Sequence, residues 1–159
     1  MNLATYAAFA AATISLINLV FTTTITGRRE KAKWARDAMT DSFYQLLNAS
    51  FSCKDAASRY RNLVNEASSD AQLNRQREIG EHARAQIRER LTHLRLLASA
   101  QVVDAANELR RRSERLAELA IDVSCSDTQY ANALTDLTDA RRVLLSAAKR
   151  ELKLPGRGV

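Results

Sequence analysis

Residues that break helices or form turns are scarce in this chain of 159, which has four glycines and a single proline, Pro155, near its C-terminus. All-β architectures need turn residues every ~8–12 positions, so they are excluded. Aromatic residues make up only 6% of the chain. Alanine and leucine are too common for a collagenous or disordered chain. No glycine-rich loop is present to cradle a phosphate, and no nucleophile-elbow or Walker pattern appears. What remains is an all-α protein with no enzymatic signature.

Charge is missing from one end. All 24 basic and 18 acidic residues fall beyond Gly27. The uncharged run from Asn2 to Gly27 exceeds the ~20 apolar residues that a spanning helix needs. Asn18 and a cluster of threonines make its hydrophobicity moderate. A cleaved signal peptide would carry a basic region before the apolar stretch, and nothing basic precedes Leu3. The basic cluster follows instead, as Arg28, Arg29, Lys31, Lys33 and Arg36. The positive-inside rule keeps that flank cytoplasmic. The expectation is a single-pass anchor (1–27) in the cell (inner) membrane, with the N-terminus outside and the body (28–153) cytoplasmic.

Within the anchor, Ala4, Ala8, Ala11, Ser15, Asn18 and Thr22 follow a four-three spacing that keeps one stripe on one side. Every member is small or polar, while Phe9, Leu16, Ile17 and Phe21 lie off the stripe. Small residues let helix backbones approach closely in lipid, and a central Asn can hydrogen-bond across such an interface. This face predicts a homo-oligomer formed through the membrane. Alanine-rich anchors also produce such stripes by chance.

Beyond Gly27 the helical period persists. Met39, Phe43, Leu46, Ser50, Cys53, Ala57, Tyr60, Val64 and Ala67 mark one seam, on a helix that continues the anchor. It should stop near Ser68-Ser69-Asp70. A second helix shows Leu73, Gly80, Ala83, Ile87, Leu91, Leu94 and Ala98 on its inner face. Ser99 can cap a third helix, on which Val102, Ala105, Leu109, Leu116, Ala120 and Val123 recur. Ser126 or Asp127 can cap the last helix, which carries Tyr130, Leu134, Leu137, Leu144, Ala148 and Leu152 and ends before Pro155-Gly156. The body is either four helices with a turn at Ser99 or three with one long middle helix. Helix lengths favour four. Short loops imply antiparallel up-down packing. A basic tail (154–159) follows.

The stretch GRREKAKWARDAMTDSFYQLLNAS (27–50), directly after an uncharged anchor, resembles small single-pass membrane proteins of actinomycetes that have no assigned activity. LRLLASAQVVDAANEL (94–109) is similar to a segment in those proteins where one helix ends and another begins. The resemblance implies the anchor-plus-bundle layout and a turn near Ser99. It carries over no functional residue.

Candidate chemistry is thin. Cys53 and Cys125 have no second cysteine or histidine at zinc spacing. In a cytoplasmic body both should be reduced. His82 and His93 sit in a short repeat, Arg77-Glu78 to Arg84 and Arg88-Glu89 to Arg95. Eleven helical residues separate the two by about 16 Å, too far to share a metal. Glu78 and Glu89, each four residues earlier, suit an exposed ion pair. No cofactor is expected.

Arg110, Arg111, Arg112 and Arg115 are offset by Asp104, Glu108, Glu114 and Glu118. The surplus falls on the last helix and tail, as Arg141, Arg142, Lys149, Arg150, Lys153 and Arg157 against Asp139 and Glu151. No aromatic residue lies in either region to stack on bases, so nucleic acid is not the expected partner. In an up-down bundle the last helix returns toward the membrane, which brings Lys149, Arg150 and Lys153 to anionic head groups. The expected function is a membrane-anchored scaffold or protein-interaction module at the cytoplasmic face, with a protein partner of unknown identity. The alternative is an envelope-spanning or lysis-associated phage-type protein with its coiled body outside.

Overall fold

The computed structural model describes the backbone of residues 3–153 and the side chains of Glu30 and residues 33–153. It contains four helices, α1 (Leu3–Asn65), α2 (Asp70–Leu97), α3 (Ala100–Ile121) and α4 (Asp127–Glu151). The break at Ala98 and Ser99 decides between the two expected layouts in favour of four helices. The chain divides into two compact units, Met1–Ala38 and Met39–Val159. In the first, the described side chains of Lys33, Trp34 and Arg36 are exposed, Trp34 by 67%. The second unit holds the bundle.

Contacts between helices fix their directions. Arg141 and Tyr130 of α4 reach Ser50 and Ser58 of α1, so α4 runs antiparallel to α1. Arg95 meets Asn107 and Arg88 meets Glu114, which orients α2 against α3. Arg112 to Asp136 does the same for α3 and α4. The parallel pair, α1 and α3, touches where the Cys53 thiol donates to the Ser113 carbonyl at 3.6 Å and Arg61 donates to the Leu119 carbonyl at 3.4 Å. The core between them is aliphatic and includes Leu46, Ile87, Leu94, Leu109, Leu116, Leu137 and Leu144, none more than 1% exposed.

The helix ends show why these segments stop. α1 closes by the Ala67 N–H donating to the Val64 carbonyl and the Ser68 N–H to the Leu63 carbonyl. That is the Schellman arrangement, in which the residue at the left-handed position is usually glycine. Here Ala67 occupies it with φ 50°. Ser126 caps α4 with a full capping box, its hydroxyl accepting from the Gln129 N–H while the Gln129 side chain accepts from the Ser126 N–H. Ser99 caps α3 by backbone conformation without a side-chain bond. Its own N–H donates instead to the Glu151 carboxylate at 3.1 Å.

Three seam positions differ from expectation. Val64 is 40% exposed, because half-buried Leu63 takes the inward position in the last turn of α1. Ala67 and Val123 lie past the ends of α1 and α3, where helical spacing no longer aims a side chain. Val123 is accordingly 92% exposed. Among the described residues no helix is long and apolar enough to cross a membrane. The side chains of the uncharged run 2–27 lie outside the described residues.

Candidate functional site

The residues singled out from sequence fall into three groups. Side chains of Ala4, Ala8, Ala11, Ser15, Asn18 and Thr22, and of Arg28, Arg29 and Lys31, lie outside the described residues, as does Arg157. Lys33 and Arg36 are exposed on the first unit. Lys149, Arg150 and Lys153 are exposed at the end of α4. The Ser50–Arg141 and Ser58–Tyr130 contacts set a register that places this end beside the Met39 end of α1. Leu152 is buried there, and Glu151 is engaged by Ser99. Lys149, Arg150 and Lys153 therefore form a basic rim at the Met39 end of the bundle.

Arg141 is a correction. Sequence arithmetic places it among the surplus surface cations, yet it is only 6% exposed. Its Nε donates to Ser50 Oγ at 2.6 Å, and one terminal nitrogen donates to the Ser50 carbonyl at 2.7 Å. The guanidinium also lies 4.0 Å from the centre of the Phe51 ring. Burial lowers its pKa, with the nearby Asp55 and Cys53 acting in the opposite direction. A buried charge is tolerated when hydrogen bonds replace its hydration, and Ser50 and the ring supply that here. The sequence held half of the signal: Ser50 is the one serine on a mostly apolar seam.

At the opposite end Arg61 ties three segments together. It donates to the Cys125 carbonyl and to Asp127, both at 2.9 Å, and lies 4.7 Å from the Tyr130 ring centre. The hydrogen bond to Asp127 is the chief reason its pKa is raised. Tyr130 in turn shares a 3.2 Å hydrogen bond with Ser58, and burial raises its pKa. These contacts fasten the α3–α4 turn to α1.

Both cysteines are buried free thiols. Desolvation pushes the Cys53 pKa up to about 11, while Arg84 and Arg141 pull weakly the other way. Such a thiol is not a nucleophile at neutral pH, because the thiolate is the reactive form. The partly open pocket beside it is about 20 Å³, room for a water molecule and little more. His82 and His93 are exposed, and their partners are Gln86 on the following turn and Arg90 on the preceding one. The expected pairs with Glu78 and Glu89 do not form among the described residues. No group of three histidine, cysteine, aspartate or glutamate side chains that could hold a metal ion stands among the described residues.

The four arginines of α3 are neutralised as their spacing suggests. Arg110 meets Glu114, Arg111 and Arg112 meet Glu108, and Arg115 meets Glu118. Asp104 takes no part, and Asp136 of α4 joins Arg112 instead. No protein-family model, curated protein or solved structure matches this chain.

Proposed function

We propose that the protein is a non-enzymatic helical scaffold, anchored in the cell membrane by residues 2–27 and presenting its bundle at the cytoplasmic face. The observation that carries the proposal is the one-sided charge pattern: an uncharged run followed by Arg28, Arg29, Lys31, Lys33 and Arg36. The basic rim of Lys149, Arg150 and Lys153 supports it. A cation near an anionic head-group surface contributes ~1 kcal/mol of attraction. The small-residue stripe Ala4 to Thr22 adds a route to self-association within the membrane. The likeness to single-pass actinomycete proteins points the same way.

Topology is tested with one surface cysteine. Val123 is 92% exposed, whereas Cys53 and Cys125 are buried and give little background. In bacterial cells, Val123→Cys should react with a membrane-impermeant maleimide only after lysis. Labelling of intact cells would place the bundle outside and favour the envelope-spanning reading.

A further inference from the structure

Arginines of the second unit are mostly matched with carboxylates. Arg84, Arg88, Arg90 and Arg142, like the four of α3, each have an acidic oxygen within 4.0 Å. Arg77, Arg95 and Arg141 contact the Tyr60 ring, Asn107 and Ser50 instead, and Arg150 stands on the basic rim without an ion pair among the described residues. Arg59 in the last turns of α1 and Arg75 in the first turns of α2 have no ion pair among the described residues, and both are exposed. They line the same groove, about 500 Å³ in volume, at the end of the bundle remote from Lys149 and Lys153.

The rest of the groove is equally specific. Leu63 and the 41% exposed Ile79 supply an apolar strip. Asn62 and Gln76 supply carboxamides, each able to donate and accept. Glu66 is the lining's one carboxylate, so the groove carries a net positive charge. Guanidinia recognise planar carboxylates by paired donors. Carboxamides suit the amide groups of a peptide backbone, and the apolar strip suits one aliphatic side chain. No aromatic ring lines the groove to stack on a base, which disfavours nucleic acid.

We infer that the groove between the end of α1 and the start of α2 binds an acidic peptide segment of a partner protein, with Arg59 and Arg75 pairing its carboxylates and Leu63 and Ile79 receiving an aliphatic residue. The inference gives a partner chemistry to the scaffold reading, yet it does not depend on the membrane. Binding to the full chain in detergent is measured by fluorescence anisotropy, with a fluorescein-labelled (Glu-Glu-Leu)4 peptide as the probe. Arg59→Glu with Arg75→Glu should weaken binding by about tenfold or more, because rim charges at the site turn from attraction to repulsion. Lys149→Glu with Arg150→Glu changes the net charge equally and should alter binding less than about twofold. Ile79→Asp should also weaken it, and an all-glutamate peptide of equal length should bind less tightly. The inference is overturned if the two double variants weaken binding equally, if the wild type shows no binding, or if a twelve-residue oligouridine displaces the peptide from the groove. Failure of these measurements leaves the topology result untouched, so the two readings fall separately.

Discussion

Arg141 and Ser50 form a buried pair across α4 and α1, in which a guanidinium donates to both the hydroxyl and the carbonyl of one residue. Hydrogen bonds to a charged group contribute about 1.5–3 kcal/mol, and truncating the acceptor leaves the charge under-solvated. Ser50→Ala should therefore destabilise the bundle by about that amount in guanidinium chloride unfolding. Arg141→Met removes the charge itself, and replacing a buried ionic group with an apolar one of similar volume is often neutral. It should cost less than Ser50→Ala. The reverse order would mean that packing of the arginine stem dominates.

Two positions, one just past α1 and one within α2, call for opposite exchanges. Ala67 adopts φ 50°, which an L side chain resists, so Ala67→Gly should stabilise the protein by about 0.5–1 kcal/mol. Gly80 lies within α2, and a Cβ added there would meet the Ala56 Cβ at an ordinary 3.6 Å. Gly80→Ala should then gain up to about 0.8–1 kcal/mol from helix propensity. Thermal unfolding of both variants checks the pair. A fall in stability at Ala67→Gly would refute the left-handed turn.

Much of the fold can be read from spacing alone. The seams of α2 and α4 follow from apolar periodicity, whereas the turn at Ser99 and the choice of Ser126 over Asp127 as the cap of α4 are decided by the structure. Arg141 escapes such reading because a charged residue at an inner position is ordinarily assigned to the surface. Only its i, i+3 relation to Leu144, set opposite the hydroxyl of Ser50, marks it. The groove at Arg59 and Arg75 escapes for another reason. No motif spans it, and only the packing of α1 against α2 brings these two arginines, neither with an ion pair among the described residues, into one groove.

Burial of Cys53 makes stability depend on alkaline pH. Its pKa is about 11 in the folded protein against an ordinary 9.0, so the unfolded thiol ionises first. The folded state holds the proton more tightly, so this contribution is complete below pH 9.0 and is lost as pH rises toward 11. A two-unit difference corresponds to roughly 3 kcal/mol. Urea unfolding between those values should show a steeper decline in the wild type than in Cys53→Ala. Parallel declines would mean that the thiol titrates alike in both states.

The anchor stripe is separable from the rest of the uncharged run. With the anchor fused to a dimerisation reporter in a bacterial membrane, Ala11→Leu should disrupt close backbone approach, and Asn18→Leu should remove about 0.6–2 kcal/mol of polar pairing. Leu16→Ala, off the stripe, should change the signal little. Equal losses from Ala11→Leu and Leu16→Ala would exclude this face.

Anchorage through residues 2–27 is tested most directly by partition between membrane and supernatant after alkaline carbonate washing. Full-length chain should stay with the membrane pellet, while a chain lacking residues 2–27 should be released, because the basic rim alone gives only peripheral, screened attraction. Recovery of the full-length chain in the supernatant would contradict the anchor and the membrane assignment with it.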